Sequence, residues 1–188
     1  VLTKDGMKVA FVASLQEKKN HQFHYLAIID LLEGLGHTVF YRHITQFNID
    51  DISQSENLNI KFYKKVFQAL KAADLVVAEI SCQSISIGYI ISETLKIGKP
   101  VVALTTATVP PVTTYLEEQM PLIVHQYVSI RALEEELPLL ISQVEPKKEK
   151  KFNFFLPPEL DEYLLKAASE KRLSKSEYLR QLLAKDQH

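Results

Sequence analysis

Three serines ahead of a helix, Ser81, Ser84 and Ser86 in SCQSISIGY, are the residues of this chain best placed by type and spacing to hold an anion. Free backbone N–H groups at a helix start point toward a ligand, hydroxyls add donors, and the helix dipole favours negative charge there. The same serines also suit a plainer role as helix caps. Ser14, in the loop after the first apolar run, is a hydroxyl of the same kind. Carboxylates near the turn are few. Glu79 ends the preceding apolar run, where it suits orienting the loop better than attacking a substrate, and Glu93 lies on the following helix. His21 and His24 fall on one side of a helix start and can contact a phosphate or a base, but they fall short of a metal-site pattern. Cys82 has no obvious His partner in sequence and reads as a structural thiol. Tyr25, Tyr41 and Tyr89 can stack on a base or fill the core. Neither a metal nor a cofactor is expected.

These groups need a scaffold, and the hydrophobic pattern supplies one. Met7 to Ala13 is a short, β-rich apolar run, and about Gln22 to Leu35 is amphipathic, with Leu26, Ile29, Leu32 and Leu35 on related faces. Gly36 closes that helix, and His37 to His43 gives a second strand. Ile44 to Asn59 is polar and aperiodic, which predicts a long loop bordering a site. A helix is predicted over Ile60 to Ala72, with Tyr63, Val66, Phe67 and Leu70 on its buried face. Strand Leu75 to Ile80, a helix near Ile87 to Lys96 and strand Pro100 to Leu104 follow. Both strands are nearly continuous apolar runs, as parallel strands covered on two faces should be. Beyond Pro110-Pro111 come a short helix at Thr114 to Glu118, strand Leu122 to Val128, and a helix from Ile130 to Val144 that Pro138 kinks or breaks. The fold class is α/β, an open parallel five-stranded sheet of the flavodoxin/Rossmann-like kind with right-handed crossovers. Ligands of such sheets bind beyond the carboxyl ends of the strands, where the strand order reverses. That brings the Ala13 to Asn20 loop to the Ser81 to Ile87 turn.

The run Ala73 to Leu104 resembles the nucleoside 2-deoxyribosyltransferases and their relatives, the 2'-deoxynucleoside 5'-phosphate N-hydrolases. The order of elements matches over Met7 to Leu104. The family pattern is an apolar strand ending in Ala-Glu, a Ser-containing turn, Gly-x-Gly-Tyr-Glu, and a helix leading to Gly-Lys-Pro and another strand. Ala78-Glu79, Ser84, Gly88-Tyr89 and Gly98-Lys99-Pro100 keep it, while Ser86 replaces the first Gly and Ile90 replaces the Glu. The resemblance implies that Ser84, and after it Ser14, holds the 5'-phosphate or sugar, with Ser86, Gly88 and Tyr89 in the same site. It also implies an Asp on the preceding helix, at the position of Val66. Cleaving an N-glycosidic bond builds positive charge on the sugar, which a carboxylate stabilises or captures. Neither Ile90 nor Val66 can do so. The expected function is therefore a non-catalytic nucleotide- or nucleoside-phosphate-binding protein, a pseudoenzyme acting as sensor or regulator. The alternative is an active N-glycosidase or deoxyribosyltransferase using Glu93, one helical turn beyond Ile90, or an acid from a partner subunit.

The chain organises as 1–144, a solvated linker at 145–150 (EPKKEK), and a unit at 151–188. Lys151 to Lys185 resembles the ribbon-helix-helix family, with an alternating strand, Leu156-Pro157 at its end, a Leu/Ala-rich helix, and Ser174-x-Ser176-Glu177 opening a second helix. Ser174 with Glu177 is a capping-box pattern. One thin strand in about 40 residues cannot close a core alone, so it should pair with the strand of a second copy. The pairing implies an obligate homodimer or higher homo-oligomer, and two roles stay open for it: DNA binding, as the resemblance implies, or assembly alone, with Phe155 marking a protein contact. Phe152, Phe154 and Leu156 would point inward, Lys151, Asn153 and Phe155 outward toward a DNA groove, and Arg172 and Lys175 would hold a phosphate at the second helix start.

The whole chain carries a net charge of −1, which calls for neither nucleic acid nor membrane, but 147–188 has ten basic and seven acidic residues, a net +3, against −4 for the remainder. Forty-six per cent hydrophobic residues over 188 suffice for one main core and a minor unit. A single cysteine suits a reducing compartment. No run approaches the ~20 apolar residues of a membrane span and no secretion signal is apparent, so a cytoplasmic setting without membrane contact is expected.

Overall fold

A computed structural model describes residues 6–109, 111–144, 155–171 and 173–186. Contacts divide the chain into two compact units, 1–150 and 151–188.

The first unit runs β1 (Lys8–Ala13), α1 (Lys18–Gly34), β2 (Thr38–Phe40), α2 (Arg42–Gln46), α3 (Ile49–Gln54), α4 (Glu56–Ala72), β3 (Leu75–Glu79), α5 (Ile85–Lys96), β4 (Val101–Thr105), α6 (Val112–Gln119), β5 (Leu122–Gln126) and α7 (Ile130–Gln143). The five strands form one parallel sheet in the order β2-β1-β3-β4-β5. This is the predicted doubly wound α/β arrangement, and its order reverses between β1 and β3. All side chains of β3 and β4, and all but Lys8 of β1, are buried, which is why these segments read as unbroken apolar runs.

Side chains alternate between the two faces of a strand. Phe11 of β1 packs against Tyr25 of α1, ring centroids 6.1 Å apart, so β1's odd-numbered residues face α1. Ala13 is in register with Glu79, which places Glu79 on that same face. Val12 faces the other way, toward α4 and α5.

Gly36, with φ +87°, closes α1 as predicted, since only glycine enters the left-handed region without a Cβ clash. Gly98, with φ +75°, does the same after α5. Lys99 then donates from Nζ to the carbonyls of Lys71, at 2.8 Å, and of Ala73, so the Gly-Lys-Pro run ends one helix, caps another and enters β4. That part of the motif is structural.

The expected loop over Ile44 to Asn59 is instead α2 and α3 plus the first residues of α4. Its polarity is that of short helices lying on the surface: Ile44, Phe47 and Ile52 turn inward, and Ser55 caps α4 by accepting from Leu58 N–H at 3.3 Å. The predicted second strand ends at Phe40 for the same reason, because α2 starts at Arg42. On α4 the fully buried face is Phe62, Val66 and Leu70, with Tyr63 and Phe67 only partly covered. Pro138 lies inside α7 without ending it, held by the buried Leu133, Leu137, Leu140 and Ile141.

In the second unit, α8 (Pro158–Glu170) and α9 (Lys175–Asp186) bury Leu164, Ala168 and Tyr178 against one another. The capping box forms: Glu177 N–H donates to Ser174 Oγ at 3.2 Å, and Ser174 N–H donates to Glu177 Oε2 at 2.8 Å. These hydrogen bonds hold the Glu177 carboxyl below its ordinary range. The expected strand at Lys151, Phe152, Asn153 and Phe154, and the phosphate contact assigned to Arg172, lie outside the described residues. No helix among the described residues is long and apolar enough to cross a membrane.

Because Phe11 is fully buried at the junction of sheet and α1, Phe11→Ala should lower stability by about 3–5 kcal/mol. Urea unfolding checks this, and a loss under about 1 kcal/mol would show the junction to be loosely packed.

Candidate functional site

The reversal between β1 and β3 leaves a recess beyond their carboxyl ends, on the α4/α5 face. Its wall includes Ser14 and Gln16 after β1, His43 and Ile44 of α2, Ile52 of α3, Phe62, Tyr63 and Val66 of α4, and Ser84, Ser86, Ile87 and Ile90 at the start of α5. It is open to solvent and encloses about 70 Å³. The predicted meeting of the first loop with the Ser81 to Ile87 turn is thus realised.

Of the serines, Ser84 performs both roles open to it in the sequence. It is the N-cap of α5, its Oγ accepting from Ile87 N–H at 3.4 Å, and it lines the recess. Ser14 is buried in the wall, and its carbonyl accepts from the Tyr25 hydroxyl at 3.1 Å, which pins the loop to α1. Ser86 is reached by the Tyr63 hydroxyl at 3.2 Å. Gly88 and Tyr89 do not belong with them: both are exposed and outside the wall, because the first turn of α5 aims Ile87 and Ile90 inward and residues 88 and 89 outward. Ser81 is also turned away, its Oγ donating to Glu79 Oε1 and accepting from Thr106 N–H at 2.8 Å.

Val66 and Ile90, the two positions at which the family resemblance implies acids, both line the recess and are buried. No Asp or Glu stands among the described lining residues. Glu93 is outside the wall, paired to Lys96 at 2.6 Å. Glu79 is buried, in register with Ala13, and is not among the residues of the wall.

His43 is the polar wall residue that the sequence reading missed. It is 3% exposed, and its Nε2 has no hydrogen-bond partner among the described residues. Burial pushes its imidazole down to about 4, the Phe11 carbonyl opposing and Lys65 adding to the shift. The signal available in sequence was its place just past an apolar run on the side of the reversal. Aromatic surface in the wall comes from Phe62 and Tyr63, whereas Tyr25 is a core residue. Lys18 braces the rim, donating to the carbonyls of Thr45 and Phe47 at 3.3 and 3.0 Å.

A second polar cluster occupies the α1 face of the same crevice. Cys82 lies with His21 and Glu17, one ligand atom of each within 4.8 Å of the others, so it does have a His partner, brought to it by the fold. Its thiol is pushed up by burial, then by Glu79 and Glu17. His24 Nδ1 meets the Tyr127 hydroxyl at 3.0 Å. Burial first, and then the Glu79 carboxylate, raise the hydroxyls of Tyr127 and Tyr25 above the ordinary tyrosine range.

No protein-family model matches the chain. It is similar to a protein of Thermofilum pendens provisionally named 2'-deoxynucleoside 5'-phosphate N-hydrolase 1, at 29% identity over 100 residues, which is 52% of this chain and 67% of that one. Among solved structures, the CMP N-glycosidase BcmB of Clostridium botulinum matches with a TM-score of 0.50 and 20% identity, over 70% of this chain and 99% of its own. The latter likeness is one of fold.

His43 gives the recess a pH signature. Its folded value near 4 lies below the ordinary 6.5, so the unfolded chain binds more protons between those values. Its contribution is present in full above pH 6.5 and is lost as the pH falls toward 4, a change of about 3 kcal/mol. Denaturant unfolding of wild type and His43→Asn across that window should show the wild type losing more stability. Parallel pH profiles would mean that the imidazole is not buried as described.

Proposed function

From an α/β domain that is nucleoside 2-deoxyribosyltransferase-like in motif and fold, we propose that this chain binds a nucleoside 5'-phosphate, or the nucleoside itself, in the β1/β3 recess and does not cleave it. The observation that carries the reading is the composition of the wall. Ser14, Ser84 and Ser86 and the start of α5 offer donors to a phosphate or sugar. His43 Nε2 offers a buried nitrogen whose lack of a partner costs about 1–3 kcal/mol until a ligand or water meets it. Val66 and Ile90 supply contact and no charge. The small enclosed volume suits an anion, and the recess is open to solvent, with Tyr63 in its wall. A cytoplasmic sensor or regulator is the role this implies.

A second reading has a specific observation behind it. Similarity to the N-hydrolase supports N-glycosidic hydrolysis, and on that reading the acid is Glu93 after a local rearrangement or a carboxylate from a partner subunit.

The tail is proposed to pair with a second copy of this chain. Among the described residues the core of this unit is three buried side chains, too few to hold α8 and α9 unaided, and Leu160, Tyr163, Leu165, Leu183 and Phe155 stay exposed. DNA contact through Phe155 and Lys175, with Lys151, Asn153 and Arg172, would accompany that pairing. Lys175 already pairs with Asp161 at 2.7 Å, which weakens its claim on a phosphate.

Calorimetry with each common deoxynucleoside 5'-monophosphate, together with chromatography for free base, separates the two readings. Binding without release is expected, with Ser84→Ala about tenfold weaker or more. Base release that survives purification and disappears in Glu93→Gln would establish the enzyme instead. Light scattering of the full chain should give a dimer or larger, with Leu165→Glu and Leu183→Glu together shifting it to smaller species. A gel shift at low salt that Lys151→Ala and Asn153→Ala remove would add DNA binding, and no shift would leave assembly alone.

A further inference from the structure

Three metal-ligating side chains of different chemistry converge on the α1 face of the crevice. Glu17 immediately precedes α1, His21 follows one turn later with its N–H donating to the Glu17 carbonyl at 2.9 Å, and Cys82 lies in the turn after β3. We propose that Glu17, His21 and Cys82 form a three-ligand site for a thiophilic divalent cation of the zinc class, with a fourth position open. The proposal is independent of the nucleotide reading, which concerns the opposite face.

The chemistry of the donor set selects the ion. A thiolate favours zinc over magnesium or calcium, imidazole is common to zinc sites, and one carboxylate completes a set of the kind found where a coordination position stays open. Thiolate and carboxylate together carry the charge that a dication neutralises, and the buried Glu79 behind them adds to the negative potential. No lysine or arginine among the described residues is ion-paired to Glu17. Its neighbour Lys18 is directed instead to Thr45 and Phe47.

The geometry is close to what a tetrahedral ion needs. Zinc bonds of about 2.0–2.3 Å put ligand atoms roughly 3.5 Å apart, so groups already within 4.8 Å must draw together by only about 1 Å. All three are half-buried, with the exposed Gln16, Lys19, Asn20 and Gln83 beside them in the chain. Neighbouring groups already orient two of the ligands. Asn20 Nδ2 donates to Glu17 Oε2 at 3.0 Å, leaving Oε1 for the metal, and the His21 ring stacks on Tyr25 at 6.3 Å and 23°. Such outer contacts fix ligand direction in established metal sites.

An ion there would tie the segment after β1 to the turn after β3. Those are the segments that present Ser14 and Ser84 to the recess, so occupancy would stiffen both of its rims from behind.

Cys82 is the one cysteine of the sequence, so any thiolate-to-metal charge-transfer band must come from it. Tag-free full-length protein, stripped with a chelator, is titrated with Co²⁺ and then with Zn²⁺. Expected are a near-ultraviolet thiolate–cobalt band, visible bands of tetrahedral intensity, saturation at one ion per chain, and displacement by Zn²⁺. Cys82→Ser should abolish the band while circular dichroism stays unchanged. His21→Ala and Glu17→Gln should each weaken Co²⁺ binding at least tenfold, and Asn20→Ala about tenfold. Absence of the band at saturating Co²⁺, a band requiring two chains per ion, or binding unaltered in His21→Ala and Glu17→Gln would each overturn the proposal.

Discussion

The pairing of β1 with β3 is the constraint on which the rest of the molecule depends. Val9 to Ala13 and Leu75 to Glu79 lie in register, covered on both faces, with the backbone groups of each strand satisfied by its neighbours. Strands so enclosed can leave the sheet only at their ends. The chain departs from β1 toward α1 on one face and from β3 toward α5 on the other, so the crevice between them cannot be filled by either connection. That opening becomes the recess, and its two sides differ because strand alternation sends different residues to each.

On the α4/α5 side the crevice is lined by hydroxyls, aliphatic groups and the rings of Phe62 and Tyr63, with His43 as an imidazole that burial keeps neutral. On the α1 side it gathers Glu17, His21, Cys82, Glu79, Tyr25 and Tyr127. The polarity of the site has therefore been divided by the sheet rather than lost. Glu79 is not among the residues that line the recess. The mere presence of Glu79 nearby therefore puts no carboxylate in a wall that has Val66 and Ile90 where the family resemblance implies acids.

The second unit obeys a different limit. Among the described residues, α8 and α9 share a small core of Leu164, Ala168 and Tyr178, and the capping box at Ser174 and Glu177 sharpens a helix start without adding to it. Leu160, Tyr163, Leu165 and Leu183 stay exposed on these helices.

Much of the fold was legible in the sequence because it rests on local rules. Apolar runs of five or six residues marked the parallel strands, Gly36 marked a helix end, and Ser174 with Glu177 marked a helix start. Residues 44–59 were misread, because helices of five or six residues that expose most of their surface carry too little periodicity to distinguish them from a loop. The sequence by itself determined that Ser84 opens a helix after a buried strand and that positions 66 and 90 bear no charge, since residue identity and spacing settle such matters. Only the tertiary structure decided that His43 joins the wall while Gly88 and Tyr89 leave it, that Glu79 faces away, and that Cys82 meets His21 from 61 positions off. Each of those is a question of which face a side chain takes and what the sheet brings beside it, and neither is set until the strands have paired.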